Sequence, residues 1–275
     1  MTASMTDTGN AAQTGQVGQE AAETYERFFV PALFAQWTQP MLDAADVTGE
    51  AARILDVGCG TGVLARAAAA RLGSAGSTAG VDPNEAMLAV ARRTAPTITW
   101  HTGRAEALPW NDASFDVVLC QFGLMFFEDR EAGLREMVRV LKPGGRLAVA
   151  VWASLDRSPG FEDLVQLLER LCGRPAADAL RVPFSLGDTG QLAALFRRAG
   201  VAGARIETRQ GSARFPSLPG WIHTNVRGWA FSDLVDDRQL DALIDEAQRS
   251  MARHVDATGA VGFSAPAHLV SARRP

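Results

Sequence analysis

The stretch Arg53-Ile54-Leu55-Asp56-Val57-Gly58-Cys59-Gly60-Thr61-Gly62-Val63 decides how this chain folds. Ile54, Leu55 and Val57 form a short apolar run with a buried strand's length and β-branched content. Gly58, Gly60 and Gly62 follow at alternate positions, where glycine lets the backbone turn sharply and approach a ligand closely. Val63 to Leu72 is then Ala-rich and reads as a helix, so the turn sits at a helix N-terminus with free N–H groups and partial positive charge. Twenty residues beyond Gly62, the next apolar run, Thr78 to Asp82, ends in a carboxylate. In open α/β sheets ligands bind at the carboxyl ends of strands, and a carboxylate there can accept hydrogen bonds from hydroxyl groups.

The same texture continues on the C-terminal side. Asn84 to Thr94 is helical, Thr97 to His101 a strand, Phe115 to Gln121 a strongly apolar strand and Arg130 to Leu141 a helix. Lys142-Pro143-Gly144-Gly145 reads as a turn, and Arg146 to Trp152 as a fifth strand. Alternating strands and helices indicate an α/β fold with a parallel sheet. From Glu20 to Ala45 the pattern is helical, and Pro31 and Pro40 are expected to break or kink it. After Trp152 the order changes to amphipathic helices, including Phe161 to Leu171, Thr189 to Ala199 and most of Ser217 to Asp256. Ala204 to Thr208 reads as a strand, and His268 to Ala272 as the last one. The expected organisation is a mobile tail over 1–19 and one domain over 20–275. That domain comprises a cofactor-binding core at 20–152 and helical substrate-lid segments at 153–200 and 216–258.

Composition narrows the function classes. Hydrophobic residues are 47 % of the 275 residues, enough for a sizeable core. The net charge of −4 gives no basic footprint for nucleic acid. Cys59, Cys120 and Cys172 are odd in number and widely spaced, which argues against a disulfide framework or a zinc site and fits a cytoplasmic protein. No metal site is expected. No apolar run reaches the roughly 18 residues of a membrane helix, and residues 1–19 lack the basic start and apolar middle of a signal peptide.

The Gly-rich turn alone suits two cofactor classes. A dinucleotide site requires G-x-G-x-x-G, with a third glycine for tight helix–strand packing; here the sixth position is Val63 and glycine falls at Gly62 instead. The continuation is more specific. Ile54 to Gly62 (ILDVGCGTG), Val81 to Leu88 (VDPNEAML), Gly103 to Asp116 (GRAEALPWNDASFD) and Val140 to Leu147 (VLKPGGRL) together resemble the class I S-adenosylmethionine-dependent methyltransferases, nearest to the ubiquinone/menaquinone-biosynthesis type. The resemblance implies a doubly wound, mostly parallel seven-stranded Rossmann-like sheet with helical lid insertions and an antiparallel final strand.

It also implies S-adenosyl-L-methionine as cofactor and names its contacts. The turn from Asp56 holds the cofactor, with Gly58 and Gly60 facing its methionine and ribose parts. Asp82 would hold the ribose hydroxyls, Met87 would pack on the adenine, and Ala105 and Glu106 would meet the adenine edge. Gln121 would lie near the methionine portion, and Tyr25 would close over the cofactor. Relatives often carry Asp where this chain has Arg104. The reaction implied is methyl transfer to a small, partly hydrophobic acceptor, at O or C, with alignment as the main catalytic task. No acid–base constellation stands out; His223, early in the second insert, is the candidate catalytic residue. Phe122, Met125, Phe126 and Phe127 follow the fourth strand and either line an apolar pocket or pack beneath the lid. The alternatives are an NAD(P)-dependent oxidoreductase and a cofactor-binding protein without transfer activity. The oligomeric state is open.

Overall fold

The computed structural model describes residues 17–48, 52–228 and 232–275. Seven strands form one sheet in the order β3-β2-β1-β4-β5-β9-β6. Here β1 is Arg53–Val57, β2 Ser77–Asp82, β3 Thr99–Thr102, β4 Phe115–Gln121, β5 Leu141–Trp152, β6 Arg205–Arg209 and β9 Ala267–Arg273. The pairs from β3 to β5 are parallel, and β9 runs antiparallel to both β5 and β6. This is the mostly parallel, seven-stranded Rossmann-like sheet with an antiparallel last strand. The order reverses between β1 and β4, so the carboxyl ends of these two strands flank the crevice where such sheets bind ligands.

Helices α3 (Val63–Leu72), α4 (Glu85–Thr94), α5 (Arg130–Val140) and α8 (Thr189–Arg198) connect the strands. Each buries an apolar stripe; in α5 it is Leu134, Met137 and Val140. Asn84 and Asp129 cap α4 and α5 by accepting from backbone N–H groups three residues on. The Lys142 to Gly145 segment does not separate two elements. It is an irregularity inside β5: Leu141 pairs with Phe115, and pairing resumes at Arg146 opposite Val117. Gly144 takes positive φ there, and its N–H donates to the carbonyl of Arg274, the residue that follows β9, which anchors the kink.

On the N-terminal side, α1 (Gln19–Thr24) runs into a π-helix over Tyr25–Phe34, then a 3₁₀ turn and α2 (Thr38–Ala44). Pro31 lies inside the π-helix and does not end it. The wide i→i+5 repeat carries the chain past the missing N–H, and Pro40 falls in the first turn of α2, where a donor is not needed. Of the tail expected over 1–19, positions up to 16 lie outside the described residues. Val17 is half-buried, and its carbonyl accepts from Asn84 Nδ2 at 3.0 Å.

The two inserts pack together around an aromatic cluster that is continuous with the core of the sheet. Helices α6 (Pro159–Leu171), α7 (Arg174–Arg181), α9 (Leu218–Arg227) and α10 (Asp237–Ser250) pack with a two-stranded sheet, β7 (Ser212–Phe215) against β8 (Val261–Ser264). Phe161, Phe215, Trp221 and Phe263 interlock with ring centroids 5.0–6.2 Å apart. The segment 153–200 is not uniform: α8 packs against α5 beside the main sheet and belongs to the layered core.

Candidate functional site

At the β1–β4 crevice lies a cavity of about 520 Å³. Tyr25, Asp56, Gly58, Gly60, Asp82, Met87, Ala105, Glu106 and Gln121, the residues expected from sequence at a cofactor, all line it. His223 does not. It lines a separate cavity with Glu20, Phe28 and Arg227, so the structure brings the candidate catalytic histidine to a different place from the rest. Phe122, Phe126 and Phe127 face the first cavity, whereas Met125 is buried in the core.

The Gly-rich turn is held rigidly by its own protein. Gly58 N–H and Cys59 N–H both donate to the Val81 carbonyl, at 2.9 and 3.1 Å, and Gly62 N–H donates to the Cys59 carbonyl at 2.8 Å. Gly60 N–H donates to Asp82 Oδ2 at 2.8 Å. Gly58, Gly60 and Gly62 all have positive φ. At Gly62 a Cβ would also meet the Trp100 ring at 2.3 Å. The donors of Gly58, Cys59, Gly60 and Gly62 are therefore already engaged, and the turn offers little for cradling a pyrophosphate.

The electrostatics of the floor are acidic. Asp56 is 1 % exposed, and its Oδ2 accepts from the Ala65 N–H at 3.0 Å, while Oδ1 is buried without a partner among the described residues. Burial pushes its carboxyl up to about 8, the Ala65 hydrogen bond opposing and the Asp82 charge adding to the rise. Asp82 is also buried; its Oδ1 accepts from the Asn84 N–H at 2.8 Å, and burial pushes it up to about 6 against its two backbone hydrogen bonds. Gln121 gives Nε2 to the Phe34 carbonyl at 3.3 Å, which leaves Oε1 buried and unpartnered. Burial, then the neighbouring carboxylates, pushes the Tyr25 phenol up, so it stays protonated. At the rim Arg104 pairs with Glu128 at 2.7 Å and lies 3.6 Å from Glu106.

Several lining residues were not read from sequence. Phe34 comes from the π-helix, Trp152 from the end of β5 and Pro183 from the insert. Apolar residues at strand and helix ends carry no local signal that they face a cavity. Asn84 follows Asp82 in a Pro-Asn cap pattern, which could have marked it as the cap it proves to be. The N-terminal segment is latched to the turn: Arg66 pairs with Glu26 at 2.7 Å and donates to the Thr61 carbonyl at 2.6 Å.

Comparisons with known proteins converge on this region. A family model described as a methyltransferase domain matches residues 54–145. The demethylmenaquinone methyltransferase of Chlorobaculum parvum is 45 % identical over 112 residues, which are 41 % of this chain and 45 % of that protein. The chain thus spans about half the length of the curated relatives it matches. Among solved structures, the YcgJ protein from Bacillus subtilis superposes with a TM-score of 0.60 at 23 % identity, covering 87 % of this chain and 98 % of that one. The phosphoethanolamine N-methyltransferase 2 of Haemonchus contortus, solved with S-adenosyl-L-methionine, gives 0.61 at 18 % identity, over 98 % of this chain and 60 % of that one.

Proposed function

We propose, for a chain that belongs to the class I S-adenosylmethionine-dependent methyltransferases, that it carries a methyl group from S-adenosylmethionine to a small, partly hydrophobic acceptor. The observation that carries this reading is the surplus of buried hydrogen-bond acceptors in the cavity. Its floor presents Asp56 and Asp82, Asp56 Oδ1 and Gln121 Oε1 lack donors among the described residues, and the N–H groups of Gly58, Cys59, Gly60 and Gly62 are spent internally. Such a floor suits a ligand that brings positive charge and hydroxyl donors, and it gives a pyrophosphate few donors to bind. That favours S-adenosylmethionine, with its sulfonium and ammonium, over NAD(P).

Bound there, the cofactor supplies a methyl group already activated by its sulfonium charge. The residues of the chain bind and orient. Asp56 Oδ1 and Gln121 Oε1 would accept from the ammonium. Asp82, whose oxygens each retain an acceptor site, would take the ribose hydroxyls. Met87, Ala105 and Glu106 would surround the adenine, and Tyr25, Phe34 and Phe122 would exclude water. The insert helices would serve as substrate cover over the cavity, a role supported by Pro183, which reaches its lining. The relatives named for demethylmenaquinone support an acceptor of similar chemistry here. Among the described residues no helix is long and apolar enough to cross a membrane.

Calorimetric titration with S-adenosylhomocysteine and with NADPH tests the cofactor, and transfer of label from isotopically marked S-adenosylmethionine into extract metabolites tests the reaction. Binding of S-adenosylhomocysteine and label in small molecules are expected. Binding of NADPH alone, or label only in protein or nucleic acid, would reject the proposal.

A further inference from the structure

Phe122 has a φ of 56°, a left-handed backbone that a bulky side chain rarely adopts. Its N–H still donates to the Ala150 carbonyl at 3.0 Å, so the departure begins one residue beyond the β4–β5 ladder. Gln121 pairs with Ala150, and side chains alternate along a strand, which puts Trp152 on the Gln121 side of the sheet. A regular extension of β4 would send residue 122 to the opposite side. The left-handed step returns it, and its ring lies on Trp152 with centroids 3.8 Å apart and planes 8° from parallel. Phe34 leans on both rings at 5.6 and 5.9 Å, and the buried Trp37 meets both edge-on at 5.9 and 6.0 Å. Strain of this kind persists where surrounding packing over-determines it, and it concentrates at ligand sites.

The placement matters as much as the strain. Gly123, next in the chain, lies so close to the Gly-rich turn that a Cβ on Gly58 would sit 3.4 Å from its Cα. The stacked pair is thus fixed directly beside the turn proposed to hold the methyl donor. Phe34, Phe122, Trp152 and Pro183 line the cavity together and carry no charge. A cage for an alkylammonium group needs ring faces on several sides of the ligand. Rings stacked at 3.8 Å leave no room between them, so the stack can offer a ligand only an outer ring face backed by the second ring.

Resting on the methyl-transfer reading, we propose that the methyl acceptor lies on the outer face of the Phe122–Trp152 stack, and that this wall selects flat, conjugated acceptors. Phe122 and Trp152 are then specificity-determining residues, with Phe34 and Pro183 bounding the subsite. The ring face is used for stacking, which disfavours a puckered ring of equal size that cannot approach the wall over its whole area.

The test is calorimetry on the protein saturated with S-adenosylhomocysteine, with three probes: 2-naphthol, its saturated analogue decahydro-2-naphthol, and tetramethylammonium. The wall predicts that 2-naphthol binds about tenfold more tightly than the saturated analogue, and that tetramethylammonium does not compete with it. Trp152→Leu should remove that preference while S-adenosylhomocysteine affinity is retained, and Phe122→Leu should remove the preference as well. The wild-type preference is read without any variant, so a variant that fails to fold does not hide the answer. Equal affinity for the flat and puckered probes, no binding of either, or preference for tetramethylammonium overturns the wall. Failure of S-adenosylhomocysteine itself to bind instead rejects the methyl-transfer reading on which it rests.

Discussion

Asp56 Oδ2 accepts a hydrogen bond from the Ala65 N–H at 3.0 Å across the Gly-rich turn, while its other oxygen is buried with no donor. One carboxylate thereby caps α3 from β1 and leaves a proton-binding atom inside the cavity. In the unfolded chain the group titrates near ~3.9; in the fold burial places it at about 8. Between these values the folded chain holds a proton that the unfolded chain has released. Stability therefore falls as pH rises from about 4 to about 8, and the group adds no further slope above that. Asp82, raised to about 6, contributes the same sign over the lower part of the window only. Asp56→Asn should flatten the stability change between about pH 6.5 and about pH 8. Urea-unfolding midpoints check this; an unchanged slope would show that Asp56 is ionised throughout.

The same proton links binding to pH. A ligand that places an ammonium on Asp56 favours the ionised carboxylate, so binding should release protons near neutral pH and tighten as pH rises toward about 8. Calorimetry with S-adenosylhomocysteine in buffers of different ionisation enthalpy reads the protons released. Identical heats in all buffers would contradict the linkage.

Asp82→Ala should weaken S-adenosylhomocysteine binding by about 1–3 kcal/mol, because ligand hydroxyls would be left unpaired. The direct check is a titration of the variant beside the wild type. Affinity unchanged within error would remove Asp82 from the ligand's contacts.

Gly60 and Gly62 both have positive φ but different surroundings. An added Cβ at Gly60 meets nothing within 4 Å, whereas at Gly62 it strikes Trp100 at 2.3 Å. Gly60→Ala should cost about 1–2 kcal/mol from backbone strain alone. Gly62→Ala should cost more, since the Trp100 ring must also move. Thermal unfolding ranks the two variants, and equal losses would show that the ring yields freely.

The part of the molecule from β1 to α4 is legible in the sequence because its signals are local. Glycines mark the turn, apolar runs mark the strands, and Asp82 closes β2. What escaped reading depends on contacts distant along the chain. Strands β7 and β8 are short and pair across an intervening helical segment, so neither alternates long enough to stand out. Lys142 to Gly145 has the composition of a turn, yet pairing with β4 and β9 draws it into β5 as a kink. The φ of Phe122 has no signature at all, since glycine or asparagine is the usual occupant of such a position. His223 drew notice as a histidine in an insert, and only the packing of α9 shows that it faces another cavity.

That placement gives its own prediction. His223→Ala should leave methyl transfer and cofactor affinity unchanged, with a stability change within about 0.5 kcal/mol. A large fall in turnover at saturating substrates would mean that the two cavities communicate.

Asp82 holds the Gly60 N–H with one oxygen and the Asn84 N–H with the other. These bonds shape the turn and lead the chain into α4 whether or not a ligand is present. A descendant that abandoned methyl transfer would still need this aspartate to fold. Its presence in a sequence therefore records inheritance of the architecture. Evidence that the trade itself is still practised has to come from atoms that give the fold nothing, such as the oxygens of Asp56 and Gln121 that have no partner among the described residues.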